Sequence, residues 1–264
     1  MKRSSISPQE PFGLSVQQRD GLWQLTHGGA VVLTERGHPV QHPSRQLLDR
    51  MSKELTAEGT VEVKDQRLVG VVRAGLFSAY SIQYDMLEAG WECAADGFRT
   101  RLLRDPILKD VAGPERVSQQ VYYQPVYDCY ERSTIETLRS TALLIEQSYG
   151  ETSPDLEQAV RDAIPVCEAV RESLCLLPNT AHACVLLMCS WHWGQVLGAV
   201  ALVSRQITAR QYADAVIASQ CLIGGVFADV SRAEESRVRT QITREANALV
   251  EYTQLTTARE GTSK

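Results

Sequence analysis

Cys184, Met188 and His192 fall four residues apart, which puts them on one side of a helix. His182, Cys189 and Cys175 lie nearby. Thiolate, thioether and imidazole groups are metal ligands, so the set invites a metal reading. Zinc sites, however, usually draw ligands in tight CxxC or HxxxH pairs, and this set lacks that spacing. The same residue types also serve as small, adaptable filling in an apolar core. Cysteine–histidine nucleophilic chemistry needs a thiol of lowered pKa in an exposed electropositive cleft, the opposite of an apolar helix interior. A second constellation is Asp96 and Asp105 beside Arg99, Arg101 and Arg104. It reads either as an acid–base site or as a basic face. The plainer account is ion pairing at a solvated edge, worth ~0–1 kcal/mol per pair. No phosphate loop of the GxxxxGK[ST] type, no GxGxxG after a strand, no HExxH and no GxSxG occurs. The residues therefore predict no catalytic, cofactor-binding or metal-ligating group, and a chain that is not an enzyme.

The first constellation sits in a segment with its own character. From Ser173 to Ser204 there is no Asp, Glu, Lys or Arg. Pro178 and Asn179 split it, because proline breaks a helix and biases its predecessor away from helical geometry. Thr180 to Ser204 remains, long enough for a bilayer core of ~30 Å. His182, His192 and Gln195 dilute it, and no Lys/Arg cluster flanks one side closely. The expectation is a single helix buried in a helical domain, with a membrane-associated segment as the alternative. On such a helix Ser190, Gly194 and Gly198 form one ridge of small residues for close helix packing.

The chain has 264 residues, 44% of them hydrophobic and 22% charged. That composition is ordinary for a globular protein and suffices for a sizeable core. A net charge of −5 gives no general footprint for nucleic acid. Seven scattered cysteines without a CxxC pair predict reduced, mostly buried thiols. The start, MKRSSISPQ, is basic but lacks an apolar core, so it reads as a disordered tail or the remnant of an organellar presequence.

Residues 1–20 read as irregular, punctuated by Pro8, Pro11 and Gly13. GLWQLT and AVVLT flank His27-Gly28-Gly29 and predict a β-hairpin. Leu47, Leu48, Met51 and Leu55 predict an amphipathic helix capped by Ser44. TVEVKDQRLVGVVR is strand-like, and 75–90 is helical. Beyond Val117 the pattern is helical throughout. Helices are expected over Thr134–Tyr149, over Asp155–Leu176 behind Ser153 and Pro154, from Thr208 to about Ile223, and over Ser231–Leu255. Tyr122, Tyr123, Tyr127 and Tyr130 cluster around Pro125.

This order of features resembles one family: the mitochondrial assembly chaperones of the ATP synthase catalytic head, specifically the one that holds the unassembled alpha subunit. The likeness runs from Leu14-Ser15-Val16 to about Ile223. Gly21 to Thr26 followed by Ala30 to Thr34 resembles the family's opening hairpin, with Glu35 where the family has proline. Pro43-Ser44-Arg45-Gln46-Leu47-Leu48 is similar to the start of its first helix, and Glu54-Leu55 keeps the acid and loses the tryptophan of its end. Asp96 to Arg101 resembles a Thr-Asp-containing segment, with Ala95 for the threonine. Tyr123-Gln124-Pro125-Val126 is similar to a Trp-Asp-Pro-aliphatic element with two residues changed. Gly194 to Ala218 resembles a small-residue helix, a short turn and an Ala-rich helix. After Ala218 the family has an acidic stretch and Trp-Gly; here Ser219 to Val226 has neither.

The resemblance implies an α+β fold: a small β-rich N-terminal domain over 14–115 with one or two helices, then an α-helical orthogonal-bundle domain over 116–255. Tails at 1–13 and 256–264 flank them. It implies a cofactor-free mitochondrial matrix assembly factor whose partner is a protein subunit, with the ATP synthase alpha subunit foremost. No nucleic acid and no membrane insertion are expected. The partner-binding residues it suggests are Asp96, Arg101, Tyr123, Pro125, Tyr127, Leu222, Ile223 and Val226, with Tyr122 and Phe227 beside them. The alternative is a divergent member built permanently into a large mitochondrial complex, as the lost acids suggest.

Overall fold

The computed structural model describes residues 13–58, 62–69, 75–87, 95–109, 115–148, 150–192, 194–224 and 232–257. The chain is α+β and falls into two compact units, Met1–Val72 and Arg73–Lys264.

The first unit is a small antiparallel sheet under one helix. Strand β1 (Leu14–Arg19) pairs with β2 (Leu22–His27), which pairs with both β3 (Ala30–Val31) and β4 (Gln41–His42). The register sets Arg19 opposite Leu22 and His27 opposite Ala30, so each hairpin turns in two residues. Asp20-Gly21 and Gly28-Gly29 fill those turns with positive φ at both positions. Turns of that hand match the right-handed twist of the flanking strands. Strand β1 lies in a stretch expected to be irregular. Leu14 and Val16 alternate with Ser15 and Gln17, but the run is short and polar, and the nearby prolines masked it.

Helix α1 (Arg45–Glu58) covers the sheet. It begins where Ser44 accepts a hydrogen bond from the Leu47 amide at 3.4 Å and buries Leu47, Leu48, Met51 and Leu55. The Arg45 guanidinium stacks 4.9 Å from the Trp23 ring centroid. A second hairpin, β5 (Glu62–Lys64) and β6 (Arg67–Val69), turns at Asp65-Gln66.

The second unit is helical. Helix α2 (Leu76–Ile82) runs into a π-helical segment, Gln83–Leu87. Helix α3 (Ala95–Leu103) leads to a 3-10 turn, Pro106–Leu108. Then come α4 (Glu115–Tyr127), α5 (Arg132–Gln147) and α6 (Pro154–Cys175), the last capped by the Ser153 hydroxyl on the Leu156 amide at 3.2 Å. Helices α7 (Asn179–Trp191), α8 (Val196–Val203), α9 (Ala209–Gly224) and α10 (Arg232–Thr257) complete the described elements. All eight residues of α8 are buried, and α3, α4, α7, α9 and α10 pack around it.

Two expectations change here. The boundary falls at Val72/Arg73, so α2, α3 and the 3-10 turn belong to the helical unit and not to a β-rich domain reaching 115. And Thr180–Ser204 is not one helix. It breaks between Trp191 and Val196, where His192 ends α7 and Gly194 takes φ +79°, outside the helical range. Among the described residues no helix is long and apolar enough to cross a membrane.

Helix α8 ends at a left-handed Arg205 (φ +60°). The Gln206 amide reaches back to the Ala201 carbonyl and the Arg205 amide to Leu202, both at 2.9 Å, which satisfies the last carbonyls. Thr208 and Gln211 then cap α9 reciprocally: the Gln211 amide donates to the Thr208 hydroxyl at 3.2 Å, and the Thr208 amide donates to the Gln211 side chain at 2.8 Å.

Candidate interaction site

The carboxylate suspected of acid–base work proves to be a keystone. Asp105 is fully buried. One carboxylate oxygen accepts from the Ile107 amide at 3.1 Å and so starts the 3-10 turn. The other accepts from the Leu197 amide at 2.8 Å, across 92 residues of sequence. Leu197 stands in the first turn of α8, where backbone amides have no partner inside the helix. Asp105 therefore caps a helix it is not part of. Burial pushes its carboxyl up to about 7, against the opposing pull of the amides of Leu197, Ile107 and Val196. This corrects the expectation of ion pairing with the neighbouring arginines: a side chain with no exposure is satisfied by backbone donors instead.

Tyrosines lock the same junction. The Tyr130 hydroxyl donates to the Leu197 carbonyl at 2.8 Å, and the Tyr127 hydroxyl donates to the Ile107 carbonyl. Tyr123 is buried beside Tyr127, with ring centroids 6.1 Å apart. Pro125 is half-buried inside α4. Tyr123 and Tyr127 thus anchor the core. On the other side of α4, Val121 is 68% and Tyr122 40% exposed. Sequence reasoning grouped the tyrosines by type. The signal that separates them is spacing: Tyr123, Val126, Tyr127 and Tyr130 recur at i, i+3, i+4, i+7 and face inward.

The break between α7 and α8 is held by a second buried network. The His192 ring contacts the Glu245 carboxylate at 2.7 Å through one nitrogen and the Tyr212 hydroxyl at 3.2 Å through the other. Gln241 donates to Glu245 at 3.0 Å. Gln195 donates to the Ala215 carbonyl at 2.9 Å and to the Ser219 hydroxyl at 2.7 Å. These bonds tie the break to α9 and α10. The groups resemble proton-transfer machinery by type, but His192 and Glu245 are almost entirely covered, so the network fixes geometry.

The metal-type set is spread over the same packing. The Cys184 thiol points to the Leu249 carbonyl at 3.5 Å, Cys189 to the Gln195 carbonyl at 3.8 Å, and His182 to the Leu174 carbonyl at 2.8 Å. Cys175 is exposed. Burial pushes the Cys184 thiol upward, which makes it a poor nucleophile. The ridge of small residues is also corrected. Ser190 is exposed on α7, Gly194 forms the turn, and only Gly198 makes a close helix contact. A methyl added at Gly198 would meet the Gln195 side-chain oxygen at 3.0 Å and the Tyr212 ring at 3.2 Å.

Of the remaining suggested partner residues, Arg101 is exposed near the end of α3. Val226 and Phe227 lie outside the described residues. Asp96, Leu222 and Ile223 are placed on α3 and α9 by their backbones, and their side chains lie outside the description. Helix α4 packs on α9. Val121 and the 88%-exposed Leu176 at the end of α6 were not singled out from sequence.

What the fold and these networks define is an α+β protein with a helical unit wrapped around α8, whose buried polar groups serve its packing. No protein-family model matches the sequence, and no curated protein matches it. Among solved structures, an aspartate-to-lysine variant of Atp12p from P. denitrificans is similar, with a TM-score of 0.49 and 10% identity over 92% of this chain and 95% of that one.

Proposed function

We propose that this chain is a non-catalytic assembly factor of the mitochondrial matrix that holds a protein subunit before its incorporation into a larger complex, the ATP synthase alpha subunit being the first candidate. The observation that carries the reading is the outward pair Val121–Tyr122 on α4. Exposed apolar residues of this size on an element otherwise anchored by its inner face suit a surface that a partner covers. The sequence resemblance supports it: Gly194 to Ala218, which resembles the family's small-residue helix, short turn and Ala-rich helix, spans α8 and part of α9.

The second reading, a permanent subunit of a mitochondrial complex, is favoured by one observation: Ser219-Gln220-Cys221 stands where the family carries acids. Affinity capture of the tagged chain from mitochondria separates the two. Substoichiometric recovery of free alpha subunit, reduced at least tenfold by Val121→Asp with Tyr122→Asp, supports the assembly factor. Stoichiometric recovery with one mature complex refutes it in favour of the second reading.

A further inference from the structure

A cavity of about 240 Å³ opens between the end of α3, the 3-10 turn and α5. Leu103, Ala142 and Ile145 form its apolar wall, and Arg104, Asp105, Lys109 and Glu146 complete the lining. Two cations and two carboxylates line it, but only one opposite pair meets directly. Lys109 answers Glu146 at 3.4 Å, with both side chains about half exposed. Asp105 turns both oxygens toward backbone amides. Arg104 is exposed, and among the described residues no carboxylate lies within ion-pair distance of its guanidinium. Arg101 stands one turn earlier on α3, also exposed. On the α5 side, Leu143 is exposed and lies one turn before Glu146, so the apolar wall continues outward past the rim.

An apolar wall next to a guanidinium with no acidic partner among the described residues selects its occupant by chemistry. A small metabolite needs several convergent polar groups to orient it, and here, among the described residues, one cation lacks an acidic partner. A polyphosphate or nucleic acid would meet Glu146 and Asp105 in the wall, on a chain of net charge −5. An aliphatic side chain with a carboxylate beside it satisfies both features: it covers the wall and gives Arg104 a charge-assisted pair. We propose that this cavity is a docking pocket for a protein partner, taking an aliphatic side chain of that partner while an adjacent Asp or Glu sits on Arg104. The inference rests on the reading of the chain as a partner-binding protein and names the chemistry of one contact.

The test uses the full chain carrying ¹³C-labelled Leu, Ile and Ala methyl groups. It is titrated with a soluble peptide whose central leucine is flanked by glutamates, and with the same peptide carrying lysines in their place. The expected result is saturable shifts at the methyls of Leu103, Ala142 and Ile145 with the acidic peptide. Its Kd should be at least tenfold weaker for Arg104→Glu and for the lysine peptide. Ala142→Leu, which fills the cavity, should abolish the shifts. Arg104 is exposed, so its variant keeps the fold should the overfilled cavity not. Shifts elsewhere only, no saturation, or equal response from Arg104→Glu would overturn the proposal. So would concentration-dependent shifts without peptide, which would assign the cavity to a second copy of the chain. Subunit capture separates this proposal from the reading beneath it. If Ala142→Leu and Arg104→Glu capture as well as the native chain, the pocket assignment falls and the assembly-factor reading stands. If the native chain captures nothing, that reading falls, whatever the titration gives.

Discussion

Asp105 offers the sharpest test of how this helical unit is held. Its carboxyl is raised from an ordinary value of 3.8 to about 7 by burial. Below about pH 4 the group is protonated in both folded and unfolded chains. Between 4 and 7 the unfolded chain releases the proton and the folded chain retains it. Its contribution to stability is therefore full at the acid end and is lost as pH rises through 7. A shift of this size corresponds to about 4 kcal/mol across that window. Asp105→Asn is nearly isosteric and does not titrate. Its amide oxygen can keep one of the two backbone donors, the Ile107 amide or the Leu197 amide. The difference in unfolding free energy, native minus Asp105→Asn, should then fall by about 4 kcal/mol from pH 4 to pH 8, because the other titrations cancel.

The assay must report on the helical unit, since two units need not unfold together. Hydrogen exchange of the backbone over 196–203, followed in urea at each pH, does so. Asp105→Ala removes both acceptors and leaves two buried amides without partners. At ~1–3 kcal/mol for each, α8 protection should drop by about 2–6 kcal/mol near pH 4, and by less as pH rises through 7. A flat difference curve for Asp105→Asn would refute the reasoning. A curve that rises with pH would show that the amide donors outweigh burial, and that the carboxylate is held as an anion.

Further substitutions address the break and the packing around it. Gly194→Ala meets nothing within 4 Å but must adopt φ +79°, so a loss of ~1–2 kcal/mol is expected in thermal unfolding. Gly198→Ala has ordinary helical geometry but crowds Gln195 and Tyr212, and should cost ~1–3 kcal/mol by overpacking. Glu245→Leu deprives the buried His192 ring of its acceptor, and the double variant His192→Leu/Glu245→Leu should be more stable than the sum of the single losses. Additive losses in that double-mutant cycle would mean the 2.7 Å contact does not couple the two residues.

What was legible in the sequence was local. Helix α1 has the bounds its apolar spacing suggests, because Ser44 and the Leu47–Leu55 face mark both its start and its buried side. The caps Ser153 and Thr208 were legible for the same reason: a cap and its amide lie three residues apart. The misses are non-local. His192 and Gln195 looked like polar dilution of an apolar helix, because their partners Glu245 and Ser219 lie 53 and 24 residues downstream. Asp105 looked like a surface ion-pair member because Leu197 lies 92 residues away. The candidate site divided along the same line. The inward spacing of Tyr123 and Tyr127 was available in the sequence, whereas the cavity beside Arg104 exists only once α3 and α5 meet.

Those non-local bonds also explain why the charge-free stretch folds as it does. A continuous helix over 180–204 would satisfy its own backbone and expose an apolar surface on all sides. Breaking it gives pieces of 13 and 8 residues, and an eight-residue helix is too short to persist unaided. Helix α8 needs its first amides satisfied where no water reaches. Asp105 supplies that acceptor. The break needs polar partners of its own, which α9 and α10 provide. The apolar stretch is thus held short by a few polar contacts from distant parts of the chain.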